Sequence, residues 1–386
     1  MVDQRICQFL KYLYLSASEE SFTFDEAIDF ELFYPIATKN RIANIMFYGL
    51  KNIKKENQPS KELYLKLYNE CMMYGVKTFH QDNSFKAIAK EYKNKNIELT
   101  VVKGQVLKSL YLKPDMRVMG DIDFIVPRHE YVKARNILVD KFKYHIEHED
   151  KDELCALNEQ HVCVELHQHL ATELSNNQKY FDKTYELHKV QCGDYYVLDD
   201  DYHFLYMMDH IYKHFVDGGL GLKYILDFAL FVKKYPKVIE NTFKELHKLK
   251  LANITLGFLQ ICQNYIGMDV REQLSLFDKE ISEEATDKLL KLMIKNGEYG
   301  TVESRVNAKN VQGTFVKRMK KRLFPMVVRP GKNKVLEYII YPFRLIWFWI
   351  CFVVKDTKYI IHVFKKRSSL SDEERDEVKI MFDELK

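Results

Sequence analysis

The 386-residue chain has no CxxC pair, no internal repeat, no excess of one charge and almost no long apolar run. Each absence removes a class of protein. Seven cysteines stand scattered at 7, 71, 155, 163, 192, 262 and 351, an odd count without metal-finger spacing, so no disulfide framework is expected. They read as core fillers in a reducing cytoplasm. Met1 to Leu15 carries charges and has no small-residue cleavage site behind an apolar run, which argues against a secretory leader. With 59 basic and 55 acidic residues the net charge is +4, too balanced to imply general nucleic-acid binding. One apolar stretch, 335–354, is broken by Glu337, Pro342 and Arg344. A membrane span needs about 20 predominantly apolar residues. The stretch therefore fits an interfacial helix flanked by Lys332, Lys334, Lys355 and Lys358, in peripheral contact with a membrane, or a segment docked on the protein's own body.

What is present is a large supply of core formers. Apolar residues make up 47% of the chain, with 25 Tyr and 25 Phe, enough for two to three domains or for one core with helical additions. Residues 1–95 read as a helical region, with apolar residues at helical spacing from Ile6 to Leu13 and from Leu63 to Ile88. Pro35 and Pro59 interrupt it, and Ser60 is set to cap the second helix. From Ile97 the pattern turns β-rich and ends in Lys103-Gly104. Strands are expected at Asp121–Val126, Tyr144–Glu149 and Val162–Leu166, with a helix over His129–Phe142 and an acidic turn around Asp150 to Glu153. These place an α/β (α+β) core with a small mixed sheet at 96–190. A helical C-terminal region follows at 191–330, beginning at the Asp199-Asp200-Asp201 cap, and 331–386 holds the apolar segment and a charged helical tail.

The chemistry concentrates in the sheet. Asp121 and Asp123, spaced i, i+2 on an apolar strand, point to one face while Ile122, Phe124 and Val126 point to the other. Like charges so close repel unless a cation sits between them, which favours a divalent metal. Glu165, on a second apolar strand, would complete an oxygen-rich site for Mg²⁺, the layout of phosphoryl or nucleotidyl transfer. Cys163, Glu165, His167 and His169 share one strand face. Zinc held by Cys163, His167 and His169 is disfavoured, because Cys163 and His167 alone stand roughly 13 Å apart along a strand.

The string Val102-Lys103-Gly104, then Arg117, then Asp121-Ile122-Asp123-Phe124-Ile125-Val126, and later Val164-Glu165-Leu166-His167 resembles the polymerase-β-like nucleotidyltransferase superfamily. Within it, the chain is most similar to the bacterial group called uncharacterised nucleotidyltransferases, over about residues 60 to 240. The resemblance implies that Asp121 and Asp123 coordinate two Mg²⁺ ions, with Mn²⁺ as a substitute, and that Glu165 is the third ligand and orients or deprotonates the attacking hydroxyl. It also implies an NTP substrate such as ATP, with Lys103 and Gly104 contacting phosphate and Arg117 supporting the site. The superfamily usually places Gly-Ser at the phosphate turn; Lys103-Gly104-Gln105 stands here, and lysine-glycine is the usual form in the subgroup.

Plainer readings compete at several of these positions. Arg117 suits a phosphate, a site carboxylate or a surface salt bridge. His167 is expected to hydrogen-bond Glu165 or the nucleotide. His210 and His214, one helical turn apart, either line the nucleotide side of a cleft or sit in the helix core; the zinc-protease spacing is absent. Asp227, inside an apolar helix, needs a partner such as Lys223 or a histidine. The expected function is Mg²⁺-dependent transfer of a nucleoside monophosphate to an acceptor hydroxyl on a protein, an RNA or a small molecule. The alternatives are a catalytically silent nucleotide- or partner-binding module of the same fold and a peripheral membrane protein in surface-polysaccharide assembly.

Overall fold

The computed structural model describes residues 3–150, 153–170, 177–297 and 381–385. The basic stretch 301–334, the apolar segment 335–354 and Ser371 lie outside the described residues, and with them the expected membrane contact and tail cap. Among the described residues no helix is long and apolar enough to cross a membrane.

Among the described residues seven strands form one mixed sheet: Thr100–Val101 (β1), Asp121–Ile125 (β2), His145–Glu149 (β3), Glu153–Leu157 (β4), Cys163–His167 (β5), Lys189–Cys192 (β6) and Tyr195–Leu198 (β7). Their order is β3-β4-β5-β2-β1-β7-β6. β2 runs parallel to β5 and antiparallel to β1, β1 runs parallel to β7, and the outer pairs are antiparallel. Helices flank the sheet on both sides in sequence, so the α/β expectation holds. β3 pairs antiparallel with β4, a strand that was not expected between Glu149 and Val162, and the Asp150 carboxylate accepts from the Glu153 amide at 3.0 Å. The β6–β7 hairpin, closed by Gly193 at φ +64° and Asp194, carries the sheet to Leu198, past residue 190.

The sheet is two-faced because its strands alternate. Ile122, Phe124, Leu154, Ala156, Val164 and Leu166 are fully buried on one face, in a cluster with Phe85, Ile88, Ala89 and Tyr92 of the long helix Lys61–Asn94. Burying each such large side chain is worth about 1.5–3 kcal/mol. Ser60 caps that helix, its hydroxyl accepting from the Leu63 amide at 3.2 Å. The opposite face carries the polar side chains, and the helix Asp200–Asp217 and the helix Leu222–Lys234 lie near it. Asp199 caps the first of these, and Gly218 ends it at φ +76°, where a Cβ would be strained. Upstream, the helix Phe30–Lys39 runs through Pro35 instead of breaking there. Burial of Phe30, Phe33 and Ala37 outweighs the one backbone hydrogen bond that proline removes.

Candidate active site

Register brings the acidic residues into rows. Asp123 on β2 lies directly beside Glu165 on β5, which faces Cys155 on β4. The next row is Asp121, Cys163 and Leu157; on the other side stand Ile125, His167 and Glu153. Alternation turns Asp121, Asp123, Glu165, Cys155 and Glu153 away from the phenylalanine core, onto one surface. Ligand atoms of Asp123, Glu165 and His167 all lie within 4.8 Å of one another. Asp121, one row along, is outside that tight group.

Lys103 reaches this surface from the turn after β1. Its backbone sits at φ +55°, ψ −129°, a region that side-chain-bearing residues rarely adopt. Gly104 follows, and a Cβ there would meet both Cγ and Sδ of Met119 at 2.8 Å. The glycine is therefore demanded by packing against the segment that leads into β2. The turn delivers Lys103 Nζ to Asp123 Oδ1 at 2.5 Å. Burial works against the Lys103 ammonium, yet Asp123, with Tyr206, Asp121 and Glu165, holds its pKa well above the ordinary value.

His167 closes the other side. Its Nε2 is 3.2 Å from Asp123 Oδ1 and 3.3 Å from Glu165 Oε2, and its Nδ1 is 3.4 Å from Glu153 Oε2. Burial disfavours the imidazolium, but hydrogen bonds to Asp123, Glu153 and Glu165 raise its pKa to about 10. The contact with His167 in turn lowers Glu153. Burial alone would raise the Asp123 carboxyl, but Lys103 and His167 hold it below the usual carboxylate range. For Asp121 the balance runs the other way: burial first, then the charges of Asp123 and Glu165, outweigh Lys103 and Lys223 and push it up to about 7.

A basic wall faces the carboxylates. Lys103 is an electrostatic neighbour of His210, Lys213 and His214 on the helix Asp200–Asp217, and Lys223 of the next helix acts on Asp121. His210 and His214 touch through their Nε2 atoms at 3.0 Å. Burial first, then neighbouring charge (His214 and Lys103 for His210, Lys213 and Lys103 for His214), keeps both neutral at ordinary pH, with His214 lowered to about 4 and His210 held well below its ordinary value. Burial and Lys103 also lower Lys213.

Arg117 is placed otherwise than toward a phosphate. Its Nε and Nη2 donate to the two oxygens of Asp227 at 2.7 Å each, with side-chain exposures of 7% and 1%. Tyr111 donates its hydroxyl to the same carboxylate at 2.7 Å. The partner expected for Asp227 was Lys223 or a histidine; the structure supplies Arg117 and Tyr111. This pair ties the segment leading into β2 to the helix Leu222–Lys234 across 110 residues. His169 sits on Asp182 at 3.2 Å, and Cys163 lies against Cys155, so the Cys163–His167–His169 set forms no ligand cluster among the described residues.

Glu153 and Lys213 were not among the expected site residues; Glu153 lies on β4, whose Glu-Leu-Cys-Ala-Leu alternation was the available signal. As a donor set, three carboxylates on one face, Asp123 buried and Asp121 and Glu165 half-buried, suit a hard divalent cation, so the residues fit the expected metal. The model of the family described as uncharacterised nucleotidyltransferase matches residues 26–267, which contain every residue of this site. No curated protein and no solved structure matches the chain significantly.

Proposed function

The chain belongs to the uncharacterised nucleotidyltransferase family, and on that premise we propose that it transfers a nucleoside monophosphate from an NTP to an acceptor hydroxyl in a Mg²⁺-dependent reaction. The observation that carries this reading is the β2–β5 register, which sets Asp123 beside Glu165 and Asp121 on the same face, opposite Lys103. Asp121, Asp123 and Glu165 are the residues that would hold Mg²⁺, or Mn²⁺ in its place. A divalent metal held there would supply positive charge to stabilise an in-line displacement at the α-phosphate. The protein's own groups do the rest. Glu165 would orient the acceptor hydroxyl and take its proton. Lys103 gives up Asp123 to neutralise a phosphate oxygen. Lys213 and Lys223 add positive charge on the facing wall, and neutral His210 and His214 offer ring nitrogens to phosphate or ribose. Arg117 acts through Asp227 as a brace that fixes the approach to β2.

One observation favours a second reading, nucleotide binding without transfer: the Lys103 ammonium rests on Asp123, one of the residues the metal needs. Incubation with each labelled NTP, Mg²⁺ or Mn²⁺ and cell lysate separates the two. Label moving to a protein, RNA or small molecule, and lost in Asp121→Asn and Asp123→Asn, is the expected result. Full transfer by both variants overturns the transferase site. Nucleotide binding with no transfer by the native protein establishes the silent module.

A further inference from the structure

Cys155 and Cys163 belong to no part of this mechanism, yet they share its surface. They lie on adjacent antiparallel strands with their sulfurs 3.2 Å apart. Cys155 is in register with Glu165, and Cys163 with Asp121, so the pair sits diagonally across the ladder between two of the site's carboxylates. Both side chains are half-buried, which leaves them open to a small oxidant. From this geometry we propose that Cys155 and Cys163 are a modification site, a reversible disulfide that forms beside the acidic cluster and withdraws Glu165 from its working position. The regulatory half rests on the transferase reading above; the disulfide itself does not.

The oxidant class is a hydroperoxide. One sulfur, its proton passed to water, attacks a peroxide oxygen; the O–O bond breaks and a sulfenic acid and water result. The second sulfur then attacks the first, the S–O bond breaks and a second water leaves. In total, two thiols and one hydrogen peroxide give one disulfide and two waters. Each sulfur loses one electron and the peroxide gains two. A thiol reductant reverses the step by exchange.

Closing the bond brings the sulfurs from 3.2 Å to about 2 Å. Diagonal partners stand farther apart than directly opposed ones, so the closure must come from β4 and β5 shearing past each other. That shear moves Glu165 relative to Asp123 on β2. A misplacement of about 1 Å at reacting groups costs on the order of 100-fold in rate.

The full chain carries a convenient reporter, because trypsin releases residues 152–179 as one peptide containing both cysteines. After treatment with hydrogen peroxide and alkylation, that peptide is expected to appear unalkylated and lighter by two hydrogens, and to become doubly alkylated after dithiothreitol. Cys155→Ser should abolish the mass change. Transfer activity should fall by about tenfold or more on oxidation and return on reduction, with Cys155→Ser resistant. Full alkylation after peroxide, or oxidation to sulfinic acid without the link, overturns the disulfide. A disulfide that leaves transfer unchanged overturns the regulation. If the reduced protein transfers no nucleotide at all, the transferase reading fails, and the peptide mass still decides whether the thiols pair.

Discussion

Replacing Arg117 by methionine tests whether this arginine holds the fold or the nucleotide. The side chain is buried, and its bidentate bond to Asp227 at 2.7 Å is shared with the Tyr111 hydroxyl. Removing the guanidinium leaves a carboxylate stranded in the interior, which costs about 3–5 kcal/mol. Urea unfolding followed by circular dichroism should show that loss in Arg117→Met. The double change Arg117→Met/Asp227→Leu removes both charges and should recover most of it, because apolar replacement of a whole buried pair is often close to neutral. A residual deficit of about 1–3 kcal/mol should remain from the Tyr111 hydroxyl, now without its acceptor. The reasoning is refuted if Arg117→Met unfolds like the native protein while its nucleotide affinity falls. It is refuted equally if the double variant is no more stable than the single one.

Two further outcomes follow from local geometry. Gly104→Ala places a Cβ 2.8 Å from the Met119 side chain and should cost about 1–3 kcal/mol in the same unfolding measurement, with Met119→Ala added as the rescue. His203 is 3% exposed, and its Nε2 has no hydrogen-bond partner among the described residues; burial lowers its pKa from 6.5 to about 4. The folded state resists protonation there, so the stability it protects is complete above about pH 6.5 and is lost as pH falls toward about 4, by roughly 3 kcal/mol in total. His203→Leu should flatten the pH dependence of unfolding across that window, and an unchanged slope would remove His203 from the account.

The parts of this molecule that were legible in the sequence are those written in alternation. β2 and β5 could be read, together with the faces they present, because Asp-Ile-Asp-Phe-Ile and Cys-Val-Glu-Leu-His separate polar from apolar at period two. The caps at Ser60 and Asp199 were legible for a similar local reason. β4 was hidden behind its acidic flank, and with it the cysteine pair, since 155 and 163 look unrelated until a hairpin and a register are known. The β6–β7 hairpin had its signal in Gly193-Asp194. Arg117 could be recognised as a residue that wants a carboxylate. Which carboxylate was a matter of tertiary contact over 110 residues, and no local pattern carries that.

The two-faced strand has a consequence for how this protein can vary. Core and chemistry are written into β2 in alternation, Asp121 and Asp123 on one face and Ile122 and Phe124 on the other. Inserting or deleting a single residue between Gly120 and Pro127 would exchange the two sets at a stroke, driving aspartates into the phenylalanine core and turning Ile122 and Phe124 toward the basic wall. Neither half can drift alone. The strand tolerates change by substitution and in steps of two, and a shift of one would erase the fold and the site together.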